Sequence, residues 1–184
     1  MAEPSFRSSA TASLPGRSSR TTATQLLACE AVATEAERCA HFRIRHQVFV
    51  IEQGMFGGSY GGIGGSGGDD TVVHDDDPAT IHVIGRAAET ICGTVRLYPL
   101  GADGRWKGDR LAVLDSYRHL GLGAPLVRFA VSAAARLGGR EMEAFIQPAN
   151  IAFFRWLGWE RVGDLVDYAG LPHQRMLIDL TRPT

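Results

Sequence analysis

The sequence is short of cysteine, of net charge and of long apolar runs, and each shortage removes a class of function. Cys29, Cys39 and Cys92 are odd in number and stand in no C-x-x-C pair, so neither a disulfide framework nor a zinc site is expected. A reducing cytosol fits that usage best. Lys and Arg number 19 against 20 Asp and Glu, and the net charge of −1 argues against nucleic acid or an anionic membrane as the main partner. No apolar run approaches the roughly 20 residues of a membrane-spanning helix. What remains is 184 residues, 45% hydrophobic and 21% charged, long enough for one domain with a sizeable core.

Residues 1–23 are rich in Ser, Thr, Ala and Arg, with Glu3 as the only acid, and have too few apolar groups to offset ordering entropy. A disordered tail is predicted there, followed by one domain over residues 24–184. Glycine gathers in residues 54–68, which read as a flexible loop. Met55, Phe56, Tyr60 and Ile63 are spaced through that loop, so it is either a flap over a substrate site or a disordered insertion. Asp69, Asp70, His74, Asp75, Asp76 and Asp77 follow without calcium-loop spacing. They predict a solvated acidic turn and no metal site.

Periodicity places a first strand from Thr24 to Ala31. Thr34-x-x-Glu37 has capping-box spacing and opens a helix through about Phe49, its arginines read as solvated. Residues 80–88 and 90–100 alternate as an antiparallel hairpin joined through Ala88-Glu89. Residues 101–108 are polar and turn-rich, and read as a loop. A short strand at 110–114 leads through Arg118-His119-Leu120-Gly121-Leu122-Gly123-Ala124 into an alanine-rich helix ending near Gly138-Gly139. A strand from Glu141 to Gln147, a helix begun by Pro148 and Asn150, and a hairpin of Trp159–Asp167 with Arg175–Leu180 complete the chain.

The turn at 118–124 carries the chemistry. Gly121 and Gly123 let backbone approach a ligand without Cβ obstruction, and the first amides of the helix point at whatever sits there. Pro125 suits that first turn. No Gly-Lys-Ser/Thr follows, which excludes a Walker phosphate loop. No acid ends a second strand about 20 residues on, which disfavours a dinucleotide fingerprint. A pyrophosphate site of another kind remains.

The turn resembles the Arg/Gln-x-x-Gly-x-Gly/Ala motif of the GCN5-related N-acetyltransferases, and Asn150-x-x-Phe153-Phe154-x-x-Leu157-Gly158-Trp159 resembles their second coenzyme A motif. Arg45-x-x-Val48-Phe49-x-x-Glu52-Gln53 is similar to the first-helix signature of a subgroup that includes the ElaA-like acetyltransferases and, distantly, the acyl-homoserine-lactone synthases. Asp167-Tyr168-x-Gly170-Leu171-Pro172-His173-x-x-Met176 resembles a C-terminal signature of the same subgroup, closest to a branch encoded beside nitrilases. The resemblance implies a mixed, mostly antiparallel α/β (α+β) sheet of about six to seven strands, flanked by helices, with two central strands splayed apart. It also implies acetyl-CoA or another acyl-CoA as cosubstrate and a small-molecule or peptide amine as acceptor, with a homodimer admissible.

In that scheme Leu111, Ala112 and Val113 bond the pantetheine arm. The amides from Arg118 to Ala124, with Arg118 itself, take the pyrophosphate, and Asn150, Phe153 and Phe154 also bind the coenzyme. Asn150 is equally suited to capping its helix. The oxyanion donor would be the amide of Val113 or Leu114. Phe154 stands where many relatives place a tyrosine acid, and the central strand offers no glutamate base. Candidates for the base are Glu52, His82 and His173, and for the acid Tyr117 and Tyr168, each with a plain structural alternative. The alternatives to an N-acetyltransferase are a longer-chain acyltransferase and a CoA-binding module without catalysis.

Overall fold

The computed structural model describes residues 26–55, 74–168 and 170–182. The predicted tail and nearly all of the glycine-rich loop lie outside the described residues. Seven strands form one sheet: β1 (Leu27–Ala31), β2 (Ile81–Ala87), β3 (Thr90–Pro99), β4 (Arg105–Val113), β5 (Glu141–Ile146), β6 (Glu160–Tyr168) and β7 (Leu171–Asp179). Their order is β1-β2-β3-β4-β5-β7-β6, and every neighbouring pair is antiparallel except β4–β5. The expected mixed, mostly antiparallel sheet is therefore present.

Helix α1 (Glu35–Arg45) starts where the capping box predicts: the Glu37 amide donates to Thr34 Oγ1 at 3.2 Å and the Thr34 amide to Glu37 Oε2 at 3.1 Å. The helix does not run on unchanged to Phe49. It widens into π-helical turns over His46–Glu52, which pack Val48 and Phe49 with Ile44 against Ala112 on one face of the sheet. Helix α2 (Gly123–Arg136) covers the other face, and its Leu126, Val127, Ala130 and Ala134 meet Val95, Met142 and Met176 in the main core. Helix α3 (Ile151–Trp156) is short and brings Phe154 to the same core.

Two sequence expectations fail in instructive ways. Strand β4 begins at Arg105 rather than 110, so half of the expected loop is strand. Glycine and alternating charges hide it, and a bulge breaks its period. Thr94 pairs with Ala112 while Arg96 pairs with Asp109, leaving Arg110 and Leu111 opposite Val95 alone, with Arg110 at φ 55°.

The second failure is the solvated reading of the arginines and of the acidic turn. Arg45 and Arg96 are wholly buried. Asp75 accepts from Arg45 Nη1 at 2.7 Å and Nη2 at 3.0 Å, and from Arg96 Nη1 at 2.7 Å. Arg96 in turn grips Asp109 through Nε at 2.8 Å and Nη2 at 2.6 Å. Two cations and two anions thus neutralise each other under α1. Burial alone would raise both carboxyls, but the guanidinium partners outweigh it and hold Asp75 and Asp109 below the usual carboxylate range.

His82 belongs to this cluster. Its Nε2 lies 3.1 Å from the Asp75 carbonyl, and its ring packs edge-on against His41, centroids 4.8 Å apart. Burial, reinforced by Arg45 and His82, pushes His41 down to about 3. The unfolded chain binds that proton near pH 6.5 and the folded one does not, so stability is full above that pH and falls as pH drops toward 3. Urea unfolding at pH 4.5 is expected to show about 2 to 3 kcal/mol less stability than at pH 7 from this residue. His41→Leu should flatten that part of the pH dependence.

Candidate active site

The cleft exists because β4 and β5 stop pairing. Only Arg105, Trp106 and Lys107 match Glu141, Met142 and Glu143, and beyond them the strands diverge around the Arg110–Leu111 bulge. On its other edge β4 stays joined to β3, where the Leu114 amide donates to the Cys92 carbonyl at 2.9 Å. Leu114 is thereby removed as an oxyanion donor. Backbone groups of adjacent strand residues face opposite edges, so Val113 turns its own toward the splay. Its carbonyl there accepts from Arg118 Nε at 3.0 Å.

The cradle lies at the mouth of this splay. A 3₁₀ turn over Asp115–Leu120 closes on Gly121 in the left-handed region, φ 75°, and α2 starts two residues later at Gly123. Nothing lies within 4 Å of where a Cβ on Gly121 would stand, so the glycine serves backbone conformation rather than packing. Leu122 and Leu120 fill the core, and His119 is exposed. Ala124 donates its amide to the Gly121 carbonyl at 3.4 Å, Pro125 has none and Leu126 donates to the Leu122 carbonyl at 3.2 Å, so within α2 the Gly123 amide is the group an anion would use.

Arg118 is engaged within the protein. Besides Val113 it donates through Nη1 to Asp115 at 2.9 Å and through Nη2 to Glu52. Glu52, a candidate base, is thus tied to the turn before α2 and is not among the residues that line the cleft. Asn150 ends a 3₁₀ turn, makes no side-chain cap and stands at the cleft wall, so the capping role is not realised. Phe153 approaches Gly123, its Cζ 3.5 Å from an added Cβ, while Phe154 is buried edge-on against Trp159 and lines the cleft.

The structure separates the proton-transfer candidates. His82 sits in the buried ionic cluster, and Tyr117 packs on the core; neither lines the cleft. His173 and Tyr168 do, edge-on to each other at 5.3 Å between centroids. The Leu171 carbonyl, 2.9 Å from His173 Nδ1, can only accept, which puts the proton of the neutral ring on Nδ1 and leaves Nε2 as its lone-pair nitrogen. Asp109 also lines the cleft, but Arg96 holds its carboxylate. Burial raises the thiols of Cys29, to about 11, and Cys92, so neither supplies a thiolate nucleophile near neutral pH.

Sequence reasoning missed several residues of the cleft. Lys107, hidden in the expected loop, lies 5.3 and 5.4 Å from the rings of Phe145 and Tyr168, which stack on each other. Gln147 bridges the mouth, its Nε2 donating to Gln53 Oε1 at 3.0 Å beside Met55. Only Gln53 had a local signal, as the last residue of the first-helix pattern.

A sequence model of the acetyltransferase (GNAT) family matches residues 59–159. No curated protein matches the chain by sequence. Among solved structures, an acyl-CoA N-acyltransferase from Pseudomonas aeruginosa is 23% identical with a TM-score of 0.65, over 82% of this chain and 97% of that one. Escherichia coli ElaA gives 16% and 0.66, over 83% and 99%. An aminoglycoside 6'-N-acetyltransferase complexed with coenzyme A gives 16% and 0.67, over 85% and 99%. At these identities the likeness is one of fold.

Proposed function

This chain belongs to the acetyltransferase (GNAT) family, and on that premise we propose that it is an acyl-CoA-dependent N-acyltransferase passing a short acyl group, acetyl the smallest, directly to an amine. The observation that carries the reading is the splay of β4 from β5 beside the Gly121–Gly123 turn. It leaves a strand edge in need of amide partners next to an anion cradle, and a pantetheine arm ending in a pyrophosphate has both features. Bound acyl-CoA would supply an activated thioester. Val113 would bond the arm or the carbonyl oxygen that gains charge during attack. His173 Nε2 would take a proton from the amine, directly or through water, and Tyr168 would donate one to the departing sulfur. Glu52 would be a positioning residue, holding Arg118 against Val113.

Thiol release from acetyl-CoA and longer acyl-CoAs across a panel of amines, including small metabolites and peptides, tests this. His173→Gln is expected to lower kcat by about 100-fold or more while the Kd for coenzyme A moves less than about twofold. An unchanged kcat would remove His173 from proton transfer. Buried Phe154 in place of a tyrosine acid favours the second reading, a CoA-binding module; tight binding with no turnover on any amine would select it.

A further inference from the structure

Strand β4 sets two cations along the wall of the cleft. Lys107 and Asp109 share the face under α1 by alternation, and in an unbroken strand Arg110 would turn to the α2 face. The bulge prevents that. Arg110 takes φ 55°, a conformation rare for a side chain of its size, and its guanidinium carbon lies 5.9 Å from the ring centre of Phe49, on the α1 side. Lys107 holds its ammonium over the rings of Phe145 and Tyr168. Both residues are buried and both line the cleft. Aromatic faces stabilise a buried cation without cancelling its charge.

The acid on the same wall is already used. Among the described residues Asp109 is the one carboxylate that lines the cleft, and Arg96 holds both of its oxygens, at 2.8 and 2.6 Å. An acceptor with additional ammonium groups, a polyamine or a lysine-rich peptide, would meet like charge there and find none of these carboxylates to anchor it. An acceptor with a carboxylate meets two donors of opposite sign. Lys107 and His173 flank the same Tyr168 ring, so one small molecule reaches both.

We infer that the acceptor is an amino acid, its amine presented to His173 and its carboxylate held by Lys107 and Arg110. This rests on the acyltransferase reading given above. The amine nitrogen bonds the thioester carbonyl carbon, the carbon–sulfur bond breaks, and the proton lost by the amine is matched by the one gained at sulfur, giving an N-acyl amino acid and free CoA. Lys107 and Arg110 touch no reacting atom and set specificity.

The test measures thiol release from acyl-CoA with the common amino acids, each against its own carboxamide. The two are nearly isosteric, and the carboxamide has the less basic amine and so more of the neutral nucleophile, which means that a preference for the acid reports recognition of its charge. The acid is expected to show kcat/KM at least about tenfold above its carboxamide, and above putrescine, with the difference in KM. Lys107→Gln and Arg110→Gln should each bring the acid-to-carboxamide ratio below about threefold by raising KM for the acid, and Lys107→Arg should keep part of it. Affinity for CoA should move less than about twofold in each, which also shows that the variants are folded. Equal or better use of the carboxamides or of putrescine would overturn the inference and leave the acyltransferase standing. A ratio unchanged in both glutamine variants would overturn it as well. No transfer to any amine from an acyl-CoA that binds would sink the acyltransferase reading, and this acceptor with it.

Discussion

Gly123→Glu is expected to weaken coenzyme A binding by at least about 100-fold and leave the unfolding transition nearly unchanged. Gly123 has ordinary helical geometry as the first residue of α2, so a side chain adds no backbone strain. A Cβ there meets only Phe153 Cζ, at 3.5 Å, an ordinary contact. A carboxylate in the first turn is even favoured by the helix dipole, which protects stability. The same carboxylate would occupy the space before α2 and oppose every phosphate. Two like charges 4 Å apart repel by about 1 kcal/mol in water and about 4 kcal/mol at an effective dielectric of 20, and coenzyme A carries several. Gly123→Ala adds a methyl without charge and should cost less than about tenfold. Calorimetric titration of CoA into both variants measures the difference. Unchanged affinity in Gly123→Glu would remove the pyrophosphate from this turn.

Asp75→Ala carries the largest expected loss of stability, about 3 to 5 kcal/mol by urea unfolding. Its carboxylate serves two guanidiniums at once, and Arg45 and Arg96 are both fully shielded from water. Removing it deprives two buried cations of their shared anion in a place where solvent cannot replace it. For a domain of this size that is about a fifth or more of the usual 5 to 15 kcal/mol. Asp76→Ala is the internal control. Asp76 sits one residue away and pairs with Arg38 at 2.6 Å, but its side chain is 80% exposed, and surface pairs contribute about 1 kcal/mol or less. Equal effects of the two substitutions would mean that the Asp75 pairs are as dispensable as a surface bridge.

These two aspartates also show where sequence reasoning ends. They are neighbours in an acidic run, and nothing local separates them. One is drawn under α1 by Arg45 and Arg96, from 30 and 21 residues away in the chain, and the other stays in water. His82 has the same history: its alternation with Ile81 and Val83 assigned it to a strand correctly, but only the packing of His41 and Asp75 took it away from the cleft.

Local physics wrote the parts that depend on a few adjacent residues. The capping box of Thr34 and Glu37, the hairpin closing at Ala88-Glu89 and the left-handed Gly121 before α2 follow from short-range sterics and hydrogen bonding, so the residues themselves determine them. The Gly121–Gly123 turn proposed as the anion cradle was legible for the same reason, because it is built from consecutive residues. Tertiary structure alone decided the rest. That β4 leaves β5 after Lys107, that Lys107 lies beside Phe145 and Tyr168, that His173 and Tyr168 meet in the cleft, and that Glu52 is tied to Arg118 are all outcomes of strand pairing across tens of residues. A pairing partner is chosen by the global burial of side chains, which no window of the sequence contains.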